Sequence, residues 1–189
     1  MKKFIFLAVF LAACQPSEPV VLPIMGELPE GFPPRMGTLS GTLGDDAVAW
    51  ETFDFSVGAY DASASVYRDG AITQVWIAAM LPDMPDSAKF RLTINAQSAE
   101  DWTTAGIPVG ALPGPIAVTI TRGGKNDAAQ MTAETATLVI DTSTPPPEIG
   151  YKLGHITGTL TAQMCATGWP GRDCAPLVLR LDTDVQFGI

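Results

Sequence analysis

Through most of the chain, large apolar residues recur at every second position. Phe90, Leu92 and Ile94 alternate with Arg91 and Thr93, and Ile116, Val118 and Ile120 with Ala117, Thr119 and Thr121. Leu177, Leu179, Leu181, Val185 and Phe187 alternate with Val178, Arg180, Asp182, Asp184 and Gln186. Successive side chains of a strand point to opposite faces, so this period predicts strands with one buried and one wet face, as in antiparallel sheets. Asp69-Gly70, between Ala62–Arg68 and Ala71–Leu81, is a two-residue hairpin signal, because both residues tolerate a positive φ. Arg122–Asp127 is a second turn cluster, leading to a segment around Met131–Asp141. Within it Ala128–Glu134 suits a helical turn, and Thr135–Ile140 returns to strand chemistry. Thr144–Glu148, with three consecutive prolines, breaks the chain again. About eight or nine strands with frequent turns and no sustained helical period predict an all-β fold, an antiparallel β-sandwich or an open barrel.

Two segments echo each other. Gly37-Thr38-Leu39-Ser40-Gly41-Thr42-Leu43 and Gly154-His155-Ile156-Thr157-Gly158-Thr159-Leu160 share Gly, an aliphatic, a hydroxyl and then Gly-Thr-Leu. Leu39, Gly41 and Leu43 fall on one face, matched by Ile156, Gly158 and Leu160. The two strands are expected to lie close together or to pair. A glycine at the middle inward position leaves room for a bulky neighbour, Trp50 or Trp76, or for a sharp bend of the sheet.

The start of the chain follows different rules. Lys2 and Lys3 precede an apolar run, Phe4–Leu11, and then Ala12-Ala13-Cys14. A bilayer span needs about 20 residues, so the run is too short for one and reads as a secretory signal. Leu11-Ala12-Ala13-Cys14 resembles the lipobox of bacterial lipoproteins. The resemblance implies cleavage before Cys14, a diacylglyceryl group on its sulfur and an acyl group on its amine. Two or three acyl chains hold a protein stably where one does not. Gln15 stands where, in the enterobacterial sorting rule, Asp would retain a lipoprotein at the inner membrane, so the resemblance favours the periplasmic face of the outer membrane. The Gly-Thr-Leu strands are also generically similar to β-rich lipoproteins of Gram-negative envelopes. Residues 15–35 hold six prolines and read as an extended tether of at most ~60 Å. The chain thus divides into a signal peptide (1–13), a lipidated Cys14 with its tether (14–35) and one β domain (36–189).

Charge narrows the partners. The formal charge is −9 over 189 residues, and loss of the two signal lysines makes the mature chain more acidic still. A surface without a basic patch argues against nucleic-acid binding and is repelled by anionic headgroups. The lipid on Cys14 is therefore the expected membrane contact, and an envelope protein the expected partner. Nothing in the sequence sets an oligomeric state.

With Cys14 lipidated, Cys165 and Cys174 remain as an even pair in an oxidising compartment and are expected to form a disulfide. The spacing is not Cys-x-x-Cys, and Arg172 is the only nearby group that would stabilise a thiolate. With a single histidine in the chain, no metal site and no cofactor beyond the lipid is expected. A histidine relay would have to use His155, which alternates onto an outer face with no nucleophile motif beside it. No catalytic residues are assigned. Asp45-Asp46, Asn126-Asp127 and Asp182/Asp184 offer oxygens for calcium but match neither an EF-hand nor a glycine-aspartate repeat and read as solvated turn acids. Gly123-Gly124-Lys125 lacks the rest of a phosphate loop and reads as a turn. Trp50 and Trp76 lie among apolar residues and read as core. Trp102 and Trp169, together with Arg172, are the candidate partner contacts. The expected function is a non-enzymatic binding or envelope-assembly module. The alternatives are a carrier with an apolar barrel cavity and, third, a hydrolase working through carboxylates alone.

Overall fold

A computed structural model describes residues 33–55, 63–81, 90–122, 129–147, 153–167 and 174–188. The signal peptide and nearly all of the tether lie outside these residues. Ten strands and one helical turn follow in order: β1 (Arg35–Leu43), β2 (Asp46–Phe53), β3 (Ala64–Asp69), β4 (Ile72–Met80), β5 (Phe90–Ser98), α1 (Trp102–Ala105), β6 (Gly110–Ala111), β7 (Ile116–Arg122), β8 (Ala129–Thr144), β9 (Leu153–Thr167) and β10 (Cys174–Phe187). The all-β class is as the alternation predicts.

Eight strands close a ring in the order β1-β2-β4-β5-β7-β8-β9-β10, with β10 returning to β1, every junction antiparallel. The fold is thus a barrel, and a closed one rather than the open barrel or sandwich expected. Two junctions are incomplete. β2 meets β4 at one pair, Glu51 with Met80, and β7 meets β8 only at Thr119–Arg122. Short extra strands fill both gaps at the same end of the barrel. β3 pairs with β4 and, in parallel, with the last residues of β10. β6 pairs with β8 at Val139 and Ile140.

The β3–β4 hairpin forms where predicted, but its two-residue loop is Gly70-Ala71, one residue later than expected, since Asp69 pairs with Ile72. Gly70 takes the positive φ, 61°. The helical turn expected at Ala128–Glu134 is absent; β8 runs straight through it as a strand. A bulge between Ala133 and Thr135 explains the misreading. It shifts the inward set from Met131 to Leu138 and Ile140, so the alternation breaks phase there.

The echo segments are β1 and the first half of β9. They flank β10 instead of pairing with each other, so both are antiparallel to it. Leu181 of β10 faces Leu39 on one side and Gly158 on the other; Leu179 faces Gly41 and Leu160. Leucine on one echo strand is thus level with glycine on the other. Neither glycine makes room for a tryptophan. A Cβ at Gly41 would overlap the carbonyl oxygen of Val178, and one at Gly158 would come within 2.5 Å of that of Val139. Backbone from the neighbouring strand fills the space. Gly37 has the same role: with no side chain there, Thr52 of β2 reaches Thr183 of β10 across it, Oγ1 to Oγ1 at 2.6 Å. Thr183 donates onward to the Asp184 carbonyl, so two buried hydroxyls are satisfied inside the barrel. Gly41→Ala should cost about 1–3 kcal/mol by overpacking, read from urea unfolding. An alanine tolerated at no cost would mean that β1 and β10 are not this close.

Candidate functional site

An eight-stranded barrel is just wide enough for its own side chains or one small ligand to fill it. Here side chains fill it. Leu39, Trp50, Ile77, Leu92, Ile94, Ile120, Leu138, Leu160 and Leu179 are all 0% exposed. A ligand-sized hollow would leave part of its wall open, and these residues leave none. Their chemistry is that of a packed core, so binding chemistry has to be sought on the outer face and at the ends.

One end is closed by the β5–β7 connection. Asp101 caps the helical turn α1, its carboxylate accepting from the Thr103 backbone N–H at 3.0 Å and from the Thr103 hydroxyl. Arg68 of β3 pairs with it at 2.8 Å. The Thr103 hydroxyl bond foremost, with the Thr103 N–H and Arg68 also acting, holds the Asp101 carboxyl below its ordinary value. The stabilisation it gives is present above the unfolded carboxyl's pKa and is lost as pH falls through the lower folded value. This cap turns Trp102 inward: it is 2% exposed, and its indole N–H donates to Glu100. Trp102 is therefore part of the core and offers no face to a partner, contrary to expectation. The reason is the cap. Four polar residues around one tryptophan, Glu100, Asp101, Thr103 and Thr104, read as an exposed loop, yet Asp101 satisfies the turn so that Trp102, Ile107 and Leu112 can seal the barrel.

The other two candidate contacts, Trp169 and Arg172, fall outside the described residues, as do Cys14, Asn126-Asp127 and Gly123-Gly124-Lys125. The loop that carries Trp169 is anchored as expected. Cys165 and Cys174 are directly paired across β9 and β10 and form a disulfide. Closing this loop contributes roughly 2–3 kcal/mol in the chain-entropy model. Glu134, the residue extruded by the β8 bulge, lies within 4.8 Å of both sulfurs. Sulfurs bonded to each other are not thiolate ligands, so the group is not a metal centre in this state.

His155 lies on the outer face of β9, half exposed, between two carboxylates of β10. Its Nδ1 is 2.8 Å from Asp184 and its Nε2 3.2 Å from Asp182. Both ring nitrogens are thereby engaged, and Asp182 and Asp184 serve this contact. Around them the outer face of β8–β9–β10 is polar and rich in threonine, with Thr142 bonded to Thr157 at 2.7 Å and Arg180 to Asp141 at 3.2 Å.

The opposite outer face carries the residue that sequence reasoning misplaced. Trp76 is half-buried and outward, because Val75 and Ile77 on either side of it are both 0% exposed and inward. The signal was present: strict alternation with Val75 and Ile77 puts Trp76 on the wet face. Its apolar neighbours in sequence hid it. Among the described residues, Trp76 shares this face with Ser65 and Tyr67 of β3, Gln74 and Ala78 of β4, and Arg91, Thr93, Asn95 and Gln97 of β5. No family model, no curated protein and no solved structure matches the chain.

Proposed function

We propose that the chain is a lipid-anchored accessory module of the bacterial cell envelope. The lipid on Cys14 holds it at the periplasmic face of the outer membrane, and it binds through its outer surface without catalysing a reaction. The observation that carries the binding reading is the filled interior: a barrel whose central wall residues, Leu39, Trp50, Ile94, Leu138 and Leu179 among them, are 0% exposed has its recognition chemistry outside. The engagement of both His155 nitrogens by carboxylates supports the non-enzymatic part, since neither is left facing a nucleophile. No helix among the described residues is long and apolar enough to cross a membrane, in keeping with a lipid as the anchor. A barrel is also the architecture of small-ligand carriers, but packed side chains stand where such a ligand would sit.

The partner surface of this reading is the disulfide-anchored loop with Trp169 and Arg172. In-cell cross-linking followed by affinity capture should recover a defined envelope partner with the native chain. Trp169→Ala should reduce its yield severalfold while leaving the thermal midpoint unchanged. A partner recovered equally well from a chain lacking residues 168–172 would remove that loop from the interface.

A further inference from the structure

We infer that the outer face of β3–β4–β5 around Trp76 is a binding site for an uncharged oligosaccharide, with a sugar ring stacked on the indole. The inference rests on the binding-module reading and names a ligand class for it. Trp76 is a large aromatic outside the packed core, half-buried on a sheet face. An apolar ring with a polar edge suits a surface that meets both C–H and O–H groups, and a sugar presents both. Register places Asn95 opposite Trp76 on β5, with small, exposed Ala117 beyond it on β7. The row therefore has open space on the β7 side, where a ring can extend past the indole.

The surrounding polar groups are arranged by their own hydrogen bonds. Gln74 Oε1 accepts from the Asn95 amide at 3.0 Å and from the Tyr67 hydroxyl at 3.2 Å. These two bonds fix all three side chains and turn the Gln74 amide N–H groups away from Oε1, where they meet no acceptor among the described residues. The same holds for the Trp76 indole N–H. Asn95 Oδ1 is buried and accepts no hydrogen bond. That oxygen has no surface open to solvent, so what this face offers a sugar is the Gln74 amide and Trp76 indole donors and the hydroxyl oxygens of Tyr67 and Thr93. Donors and acceptors side by side, held rigid, are what vicinal hydroxyls require.

Charge selects the class of sugar. Ser65, Tyr67, Gln74, Trp76, Thr93, Asn95 and Gln97 carry none, and the whole chain is at −9. An anionic glycan would find no cation beside the indole; Arg91 lies on the same face of β5, two same-face positions along from Asn95, and the field of the chain around it is repulsive.

The test uses the full-length lipidated protein in a sugar-free detergent. It is titrated with maltotetraose, cellotetraose and N-acetylated chitotetraose, and with a galacturonate tetrasaccharide as the anionic comparison. Binding is followed by tryptophan emission and by ligand-observed NMR. At least one neutral tetrasaccharide should bind with a Kd of ~1 mM or tighter, and the anionic one at least about tenfold more weakly. Trp76→Ala should weaken binding at least about tenfold, with Trp76→Phe intermediate, while Thr159→Ala on the far face leaves it unchanged. Should Trp76→Ala not fold, Gln74→Ala and Asn95→Ala carry the comparison, each expected to lose binding severalfold. The inference is overturned if no neutral tetrasaccharide binds below about 10 mM, or if binding survives the loss of Trp76 in a folded protein. Either result, with a protein partner still captured by cross-linking, removes the glycan and leaves the binding-module reading standing.

Discussion

Trp50→Ala is expected to destabilise the barrel by roughly 3–5 kcal/mol, among the largest costs of any single core truncation. Trp50 projects inward from β2, opposite Leu39, and is 0% exposed. Its removal deletes one of the two buried tryptophans among the described residues from an interior whose other members are fixed on eight strands tied in one ring. A closed ring cannot collapse inward as a loose sheet can, so most of the deleted volume should persist as a cavity. For a domain of this size the loss corresponds to a fall in thermal midpoint of roughly 6–20 °C. Circular dichroism melting of the native and substituted proteins measures it directly. The same substitution separates the two functional readings. In a packed module the loss is large, and the variant gains a space that takes up a small apolar molecule such as benzene, which restores part of the midpoint. In a carrier whose interior is already ligand space, truncation would cost about 1 kcal/mol or less, and benzene would stabilise the native protein equally. That second pattern would overturn the filled-barrel argument and return weight to the carrier.

The strands were legible because burial on one face writes itself into the sequence at period two. Faces are local information; neighbours are not. Nothing in the alternation of β3 says that it runs parallel to β10 at Ser65 and Val66, nor that Gly110-Ala111 will complete the ladder where β7 leaves β8. Closure of the ring depends on another long-range pairing, that of β1 with β10, so the choice between open and closed forms was out of reach. The inward glycines were read correctly as space that must be used, but the user is backbone, since Val178 and Val139 press against Gly41 and Gly158. The tryptophans show the other limit. Trp76 and Trp102 exchange places relative to expectation because average polarity of the neighbours was weighed above geometry. Period two around Trp76, and the Asp101–Thr103 cap beside Trp102, are the signals that place them.

Cys14→Ser is expected to abolish membrane anchoring rather than to weaken it. The lipid is the only strong membrane contact that this reading supplies, and the protein's charge works against any other. Cleavage before Cys14 would remove Lys2 and Lys3 and leave the chain at −11, and an acidic surface gains nothing from anionic headgroups. Affinity for the bilayer therefore rests on buried methylenes, at about 0.8 kcal/mol each. One acyl chain gives marginal, reversible binding, while two or three hold the protein effectively permanently. Intermediate behaviour has no place in this arithmetic. Cells fed an alkyne fatty acid should label the native chain and leave Cys14→Ser unlabelled. On detergent phase separation the labelled protein should enter the detergent phase. A soluble chain that begins at Arg35, the first residue of β1, behind an ordinary cleavable signal, should stay in water with the native circular dichroism spectrum. Label persisting on the Cys14→Ser chain would move the acyl site elsewhere. An unlabelled native protein in the aqueous phase would make residues 1–13 an ordinary secretory signal and Cys14 a third thiol. The domain would then be free in the periplasm, and reach along a tether would no longer limit which surfaces it meets.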